Sequence, residues 1–144
     1  MKVKIPLWIN SLQVLLIMIM LSQVYLFYID IESVIASGVT INKVSDYNLI
    51  YEFAARTATM AIVSIIILFS QDIKLFLLMF IMNILREGQE TIIDPLFPLI
   101  NAPISPMSDL ILHVIIVTIE IIALLQLYKL SKTWKIYWLF FNLV

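Results

Sequence analysis

Cysteine is absent from the 144 residues, which removes disulfides, thiol nucleophiles and cysteine-ligated metal or iron–sulfur centres. There is one histidine, His113. A di-iron bundle needs Glu-x-x-His on two separate helices, so no di-iron centre is expected and no other cofactor is indicated. Charge is also scarce, with Asp, Glu, Lys and Arg at 13% of the chain against about 25% in a soluble domain. No basic patch carries interleaved aromatics, so nucleic acid is not an expected partner. The alternating ten-residue segments of an outer-membrane barrel are missing too.

What replaces them is apolar side chain, at 62% of residues and a mean hydropathy of +1.05. A small domain has too much surface for its volume to hide this in one core. The solvent for much of the chain must be lipid. Four stretches, Ile5–Tyr28, Tyr51–Ser70, Lys74–Ile93 and Leu110–Tyr128, reach the ~20 residues that cross a bilayer core. Backbone in lipid must satisfy its own hydrogen bonds, so these are helices. The first follows Lys2 and Lys4 like a secretory signal, but it is too long for an h-region and lacks a small-residue cleavage site. It is expected to be retained.

The fold class expected is all-α, a polytopic membrane protein forming one domain. Four antiparallel helices cover about 5–28, 51–70, 74–94 and 109–130, with an interfacial tail over 131–144 rich in Lys, Trp and Tyr. Lys2, Lys4, Lys74, Lys129, Lys132 and Lys135 fall on one side of this arrangement and Lys43 on the other. The positive-inside rule then places both termini in the cytoplasm. Only "SQDIK" separates the second and third helices, so they are antiparallel neighbours. Two loops face outward. Residues 30–50 include "VIASGVTI", expected as a short strand or half-buried turn, and 94–109 hold four of the five prolines.

The third helix poses the functional question. Only about a dozen residues precede Arg86, fewer than the ~20 that span a bilayer. The helix must therefore run on through Arg86, Glu87 and Glu90 to finish near Asp94. At 100° per residue Asn83, Arg86, Glu87, Glu90 and Asp94 share an arc of about 100°, a stripe that a solvated loop would not keep. Charges facing lipid cost several kcal/mol each, so the arc is expected to face inward, with Arg86 and Glu90 against the second and fourth helices.

Partners at similar depth come from the other helices. Glu52 and Arg56 share a face of the second helix at i, i+4 spacing. Asp109, His113 and Glu120 share one on the fourth. Counting from the hairpin, Arg56 and Glu90 lie at nearly equal depth, which predicts that they pair. Glu52, Arg56, Arg86, Glu87, Glu90, Asp94, His113 and Glu120 make up the expected ligand-binding set. Ion pairing that sets helix register is the plainer reading of the arginines, and a hydrogen-bonded core residue that of His113. Glu120 is harder to dismiss, since a lone acid between "VTI" and "IIA" is costly near mid-membrane. No metal site is assigned, although the acids leave a divalent ion open.

The stretch "FAARTATMAIVSIIILFSQDIKLFLLMFIMNILREGQETIID" resembles the second and third helices of DoxX-like small membrane proteins. The matching positions are Arg56 and residues 86–94. The resemblance covers under a third of the chain and implies a compact four-helix fold, in a family with subunits linked to quinone-reducing systems. Three functions are then expected in order. The first is a small binding or accessory protein whose outward charged pocket takes an amphipathic ligand, a lipid or quinone, or meets a partner helix. The second is a membrane enzyme using His113 with Glu90 or Glu120 as general base and acid. The third is a proton or ion pathway along Glu120 and His113. Membrane lipids are expected partners, together with a membrane protein or a second copy of the chain.

Overall fold

The computed structural model describes residues 4–98, 101 and 104–141, with side chains described through residue 132. Five helices follow in order: α1 (Leu7–Tyr28), α2 (Ile31–Ala36), α3 (Val44–Ser70), α4 (Ile73–Leu96) and α5 (Pro106–Phe141). There is no strand among the described residues. The second, third and fourth apolar stretches correspond to α3, α4 and α5.

Three helices are long and apolar enough to cross a membrane: α1, α3 and the Pro106–Lys132 part of α5. Their outer faces carry exposed aliphatic side chains, among them Leu15, Met18, Ile62, Ile66, Ile115 and Ile122. In water such surfaces would be an aggregation hazard, whereas against acyl chains they cost nothing. Helix α4, expected as a span, is not among these three; it has 24 residues and includes every charge from Arg86 to Asp94. Pro95 falls in its final turn, where the missing N–H and the ring close the helix.

Three boundaries differ from the sequence reading. The "VIASGVTI" run holds no strand; its Val34, Ile35 and Ala36 end α2, and Gly38 makes the following turn at φ 107°. The Asp30 carboxylate caps α2 by accepting from the Ser33 N–H. Helix α3 starts at Val44 rather than near Tyr51, because Asp46 accepts from the N–H groups of Asn42 and Lys43 at 2.8 and 2.9 Å. Residues 131–141 are not a separate tail, since the backbone of α5 stays helical through Phe141.

The α3–α4 connection is minimal. Gln71 takes a left-handed conformation at φ 51°, and its side-chain amide donates to Asn10 Oδ1 of α1 at 3.0 Å. Asp72 then caps α4 through the Lys74 N–H. Packing pairs α1 with α3 and α4 with α5, while α3 and α4 touch far less. One apolar core joins the pairs: Ile5 just before α1, Ile9 and Leu16 of α1, Ile67 of α3, Phe76, Met79 and Phe80 of α4, and Ala123 and Leu127 of α5. The Trp8 indole donates to Gln126 Oε1 at 3.1 Å and ties α1 to α5 near this end. At the opposite end the Asn101 N–H donates to the Ser37 carbonyl, so the two long loops meet.

Candidate functional site

The charged cluster is built by two helices whose stripes face each other. On α4 the buried residues Phe76, Met79, Phe80, Asn83 and Glu87 lie within a narrow sector, and Glu90 and Asp94 extend it. On α5 Asp109, His113, Glu120, Ala123 and Leu127 form the matching stripe. Each stripe is apolar toward the hairpin end and charged toward the loop end. Packing α4 on α5 therefore brings acids of both helices around His113.

His113 is the hinge of the cluster. Its Nδ1 lies 2.8 Å from Glu87 Oε2, and its Nε2 lies 3.2 Å from Asp94 Oδ2 and 3.8 Å from Asp109 Oδ1. Because carboxylates face both ring nitrogens, the contacts are all favourable when the ring carries two protons. Glu87 is the most enclosed member, with its side chain 4% exposed. Its other carboxylate oxygen accepts from Arg86 Nη2, so one buried acid links the guanidinium to the imidazole. Arg86 Nε stands 3.9 Å from Glu90 Oε1. Both Nε and Nη1 of Arg86 are buried with no hydrogen-bond partner among the described residues. The Thr91 hydroxyl donates to the Glu87 carbonyl and holds the local turn.

Exposure grades along this line. Asp94 and Asp109 form the accessible rim with side chains 38% and 33% exposed, and His113 lies beneath at 14%. Below it come Glu87 and then Glu120, which is completely buried on α5. Glu120 faces the interior, within the electrostatic reach of Glu87, Arg86 and Glu90. Two overlapping trios, Glu87–Glu90–His113 and Asp94–Asp109–His113, hold their ligand atoms within 4.8 Å of one another and have the donors for a divalent ion. In the first trio the Arg86 guanidinium already supplies the counter-charge.

Glu52 and Arg56 do not join the cluster. Arg56 pairs with Glu52 one turn away at 3.2 Å, not with Glu90, and its side chain is 80% exposed. The expected pairing fails on the facing of the two side chains. Helix α3 buries Ala54, Thr57, Ala61, Ser64 and Ile67, and Glu52 and Arg56 point roughly 120° away from that face. Glu90 accordingly lies with His113 of α5, and among the described residues no hydrogen bond or ion pair joins Arg86 or Glu90 to α3. The remaining residues of the expected set, Arg86, Glu87, Glu90, Asp94 and His113, come together, with Glu120 below them.

The expected ligand-binding set leaves out three residues, although the sequence places Asp109 and Asn83 on the right helix faces. Asp109 shares the His113 face and its i, i+4 spacing was the available signal. Asn83 lies four residues from Glu87 on the buried stripe, and Gln13 interrupts the apolar face of α1 between Ile9 and Leu16. No protein-family model, curated protein or solved structure matches this chain.

Proposed function

We propose that the chain is a small multi-pass membrane protein, an antiparallel bundle of α1, α3, α4 and α5 with both termini cytoplasmic. Its outward α4–α5 cluster binds the polar end of an amphipathic ligand. The observation that carries this reading is the excess of acid around His113. Among the described residues the ion-pair partners of Glu87, Glu90, Asp94 and Asp109 are Arg86 and His113, so the cluster keeps a negative balance that rises toward its accessible rim. A headgroup offering a cation or N–H donors complements that rim. A quinone, whose carbonyls accept hydrogen bonds, would meet carboxylates at the rim, where the donors of Arg86 and His113 lie beneath. Charge alone gives a preference for the lipid.

The enzyme reading is weaker on the same geometry. A general base needs a free nitrogen lone pair, and both ring nitrogens of His113 are already taken up by carboxylates. A through-going pathway is opposed by the apolar core of Phe76, Phe80, Ala123 and Leu127 below Glu120. An accessory role beside a partner helix shares the binding reading, and the resemblance to DoxX-like proteins is consistent with it.

Native mass spectrometry of the protein extracted in mild detergent tests the proposal. Retained phosphatidylethanolamine in preference to phosphatidylglycerol is the expected result, with retention lost in the double substitution Asp94→Asn, Asp109→Asn. Equal retention of both lipids by parent and variant would overturn it.

A further inference from the structure

Below the charged cluster lies a second polar group that the lipid-headgroup reading does not use. Gln13 of α1, Asn83 of α4 and Glu120 of α5 are each 1% exposed or less. Both side-chain polar atoms of all three lack a hydrogen-bond partner among the described residues. Buried polar atoms are nearly always satisfied by protein, water or ligand, so six such atoms from three helices require an occupant.

Their neighbours place them on one core. Gln13 stands between Ile9 and Leu16 on the α1 face, Asn83 one turn from Phe80, and Glu120 one turn from Ala123. All of these apolar flanks belong to a single packed cluster. Depth agrees as well. From the Trp8–Gln126 hydrogen bond, Gln13 lies five residues and Glu120 six residues toward the charged end, or about 8 and 9 Å of helical rise. From the His113–Glu87 contact, Asn83 is four residues down α4 and Glu120 seven down α5, so they differ by about 4 Å.

We infer that Gln13, Asn83 and Glu120 form a buried site for a small monovalent cation, either sodium or a proton carried with water. One carboxylate and two amide oxygens supply hard oxygen donors with a single negative charge. A monovalent ion neutralises that charge, whereas a divalent ion would leave a net positive charge in an apolar interior. The amide N–H groups then satisfy water or the second carboxylate oxygen. The charged groups whose fields reach Glu120 are Arg86, Glu87 and Glu90 of α4; α1 presents Gln13, and His113 lies two turns away on α5. Toward the loop end the residues between the site and the Asp94–Asp109 rim are His113 and Glu87, with side chains 14% and 4% exposed. The apolar core of Phe76, Phe80, Ala123 and Leu127 lies on the hairpin side.

Dicyclohexylcarbodiimide, an apolar reagent that attacks protonated carboxyl groups, tests this on the full chain in sodium-free choline buffer. Peptide mass spectrometry should find the adduct on Glu120, with labelling lost as pH rises. If sodium is the ion, millimolar NaCl should slow labelling at least fivefold while choline chloride does not. If the proton is the ion, labelling follows pH and ignores sodium. No labelling of Glu120 at any pH between 5 and 9, with no rise in Tm on adding NaCl, would overturn the inference. Gln13→Leu and Asn83→Leu, which remove unsatisfied polar atoms and should fold, are expected to weaken sodium protection tenfold or shift the pH midpoint of labelling. An unchanged profile in both also overturns it. Lipid retention and Glu120 labelling read different residues, so either proposal can fail alone.

Discussion

At the scale of single residues, the decisive contrast is between two ion pairs of similar sequence appearance. Arg56–Glu52 and the Arg86–Glu87–His113 chain both looked like charges in greasy helices, but one is exposed and the other enclosed. Exposed pairs contribute about 0–1 kcal/mol, while removing one partner of a buried pair costs about 3–5 kcal/mol. Glu87→Ala should therefore lower Tm sharply in detergent, and Glu52→Ala should leave it within error. Equal effects would mean the cluster is wetter than its geometry. Glu120 carries a second prediction. No described residue bonds to Glu120, so Glu120→Leu strands no hydrogen-bond partner among them. Leucine there removes an unsatisfied acid, so in sodium-free buffer it should raise stability by about 1–3 kcal/mol, and Glu120→Gln should change it little. A Tm loss in the leucine variant would reveal a partner after all.

At the scale of elements, helix ends were set by caps that hydropathy does not register. The apolar pattern of α3 begins near Tyr51, but Asp46 gathers the N–H groups of Asn42 and Lys43 and starts the helix at Val44. Asp46→Ala should fray that first turn. Hydrogen exchange at the amides of residues 42–47 would speed up while residues 54–67 stay protected, and unchanged exchange would assign the start of α3 to something other than its cap. Helix α4 shows the opposite case. Its extent through Asp94 was legible because Ile73 to Ile84 holds only ten apolar residues, short of the ~20 that cross a bilayer, while the charges beyond keep one helix face.

At the scale of the whole molecule, the absence of cysteine makes topology directly measurable. Single cysteines at Ser37 and Ser131 should report opposite sides in intact cells, with a membrane-impermeant maleimide reaching position 37 and not position 131. Reaction at both, or the reverse pattern, would reject the cytoplasmic placement of the termini. The six-to-one lysine split motivates the assignment, and Ser37 lies at the turn after α2, bonded to the loop between α4 and α5.

Composition and helical period determined by themselves that the chain is all-helical, that several helices can enter lipid, and that Arg86, Glu87, Glu90 and Asp94 share one helix face. These follow from local quantities: the ~20-residue span, 100° per residue and the cost of charge in hydrocarbon. Which helix that face meets is not local. Equal depth placed Arg56 beside Glu90, but depth fixes height along a helix and leaves rotation about its axis free. Rotation was decided by packing, with the small-residue face of α3 turned to α1 and the charged stripe of α4 turned to α5. The same choice buried Gln13 and Asn83 beside Glu120's core and left Glu52 and Arg56 outside.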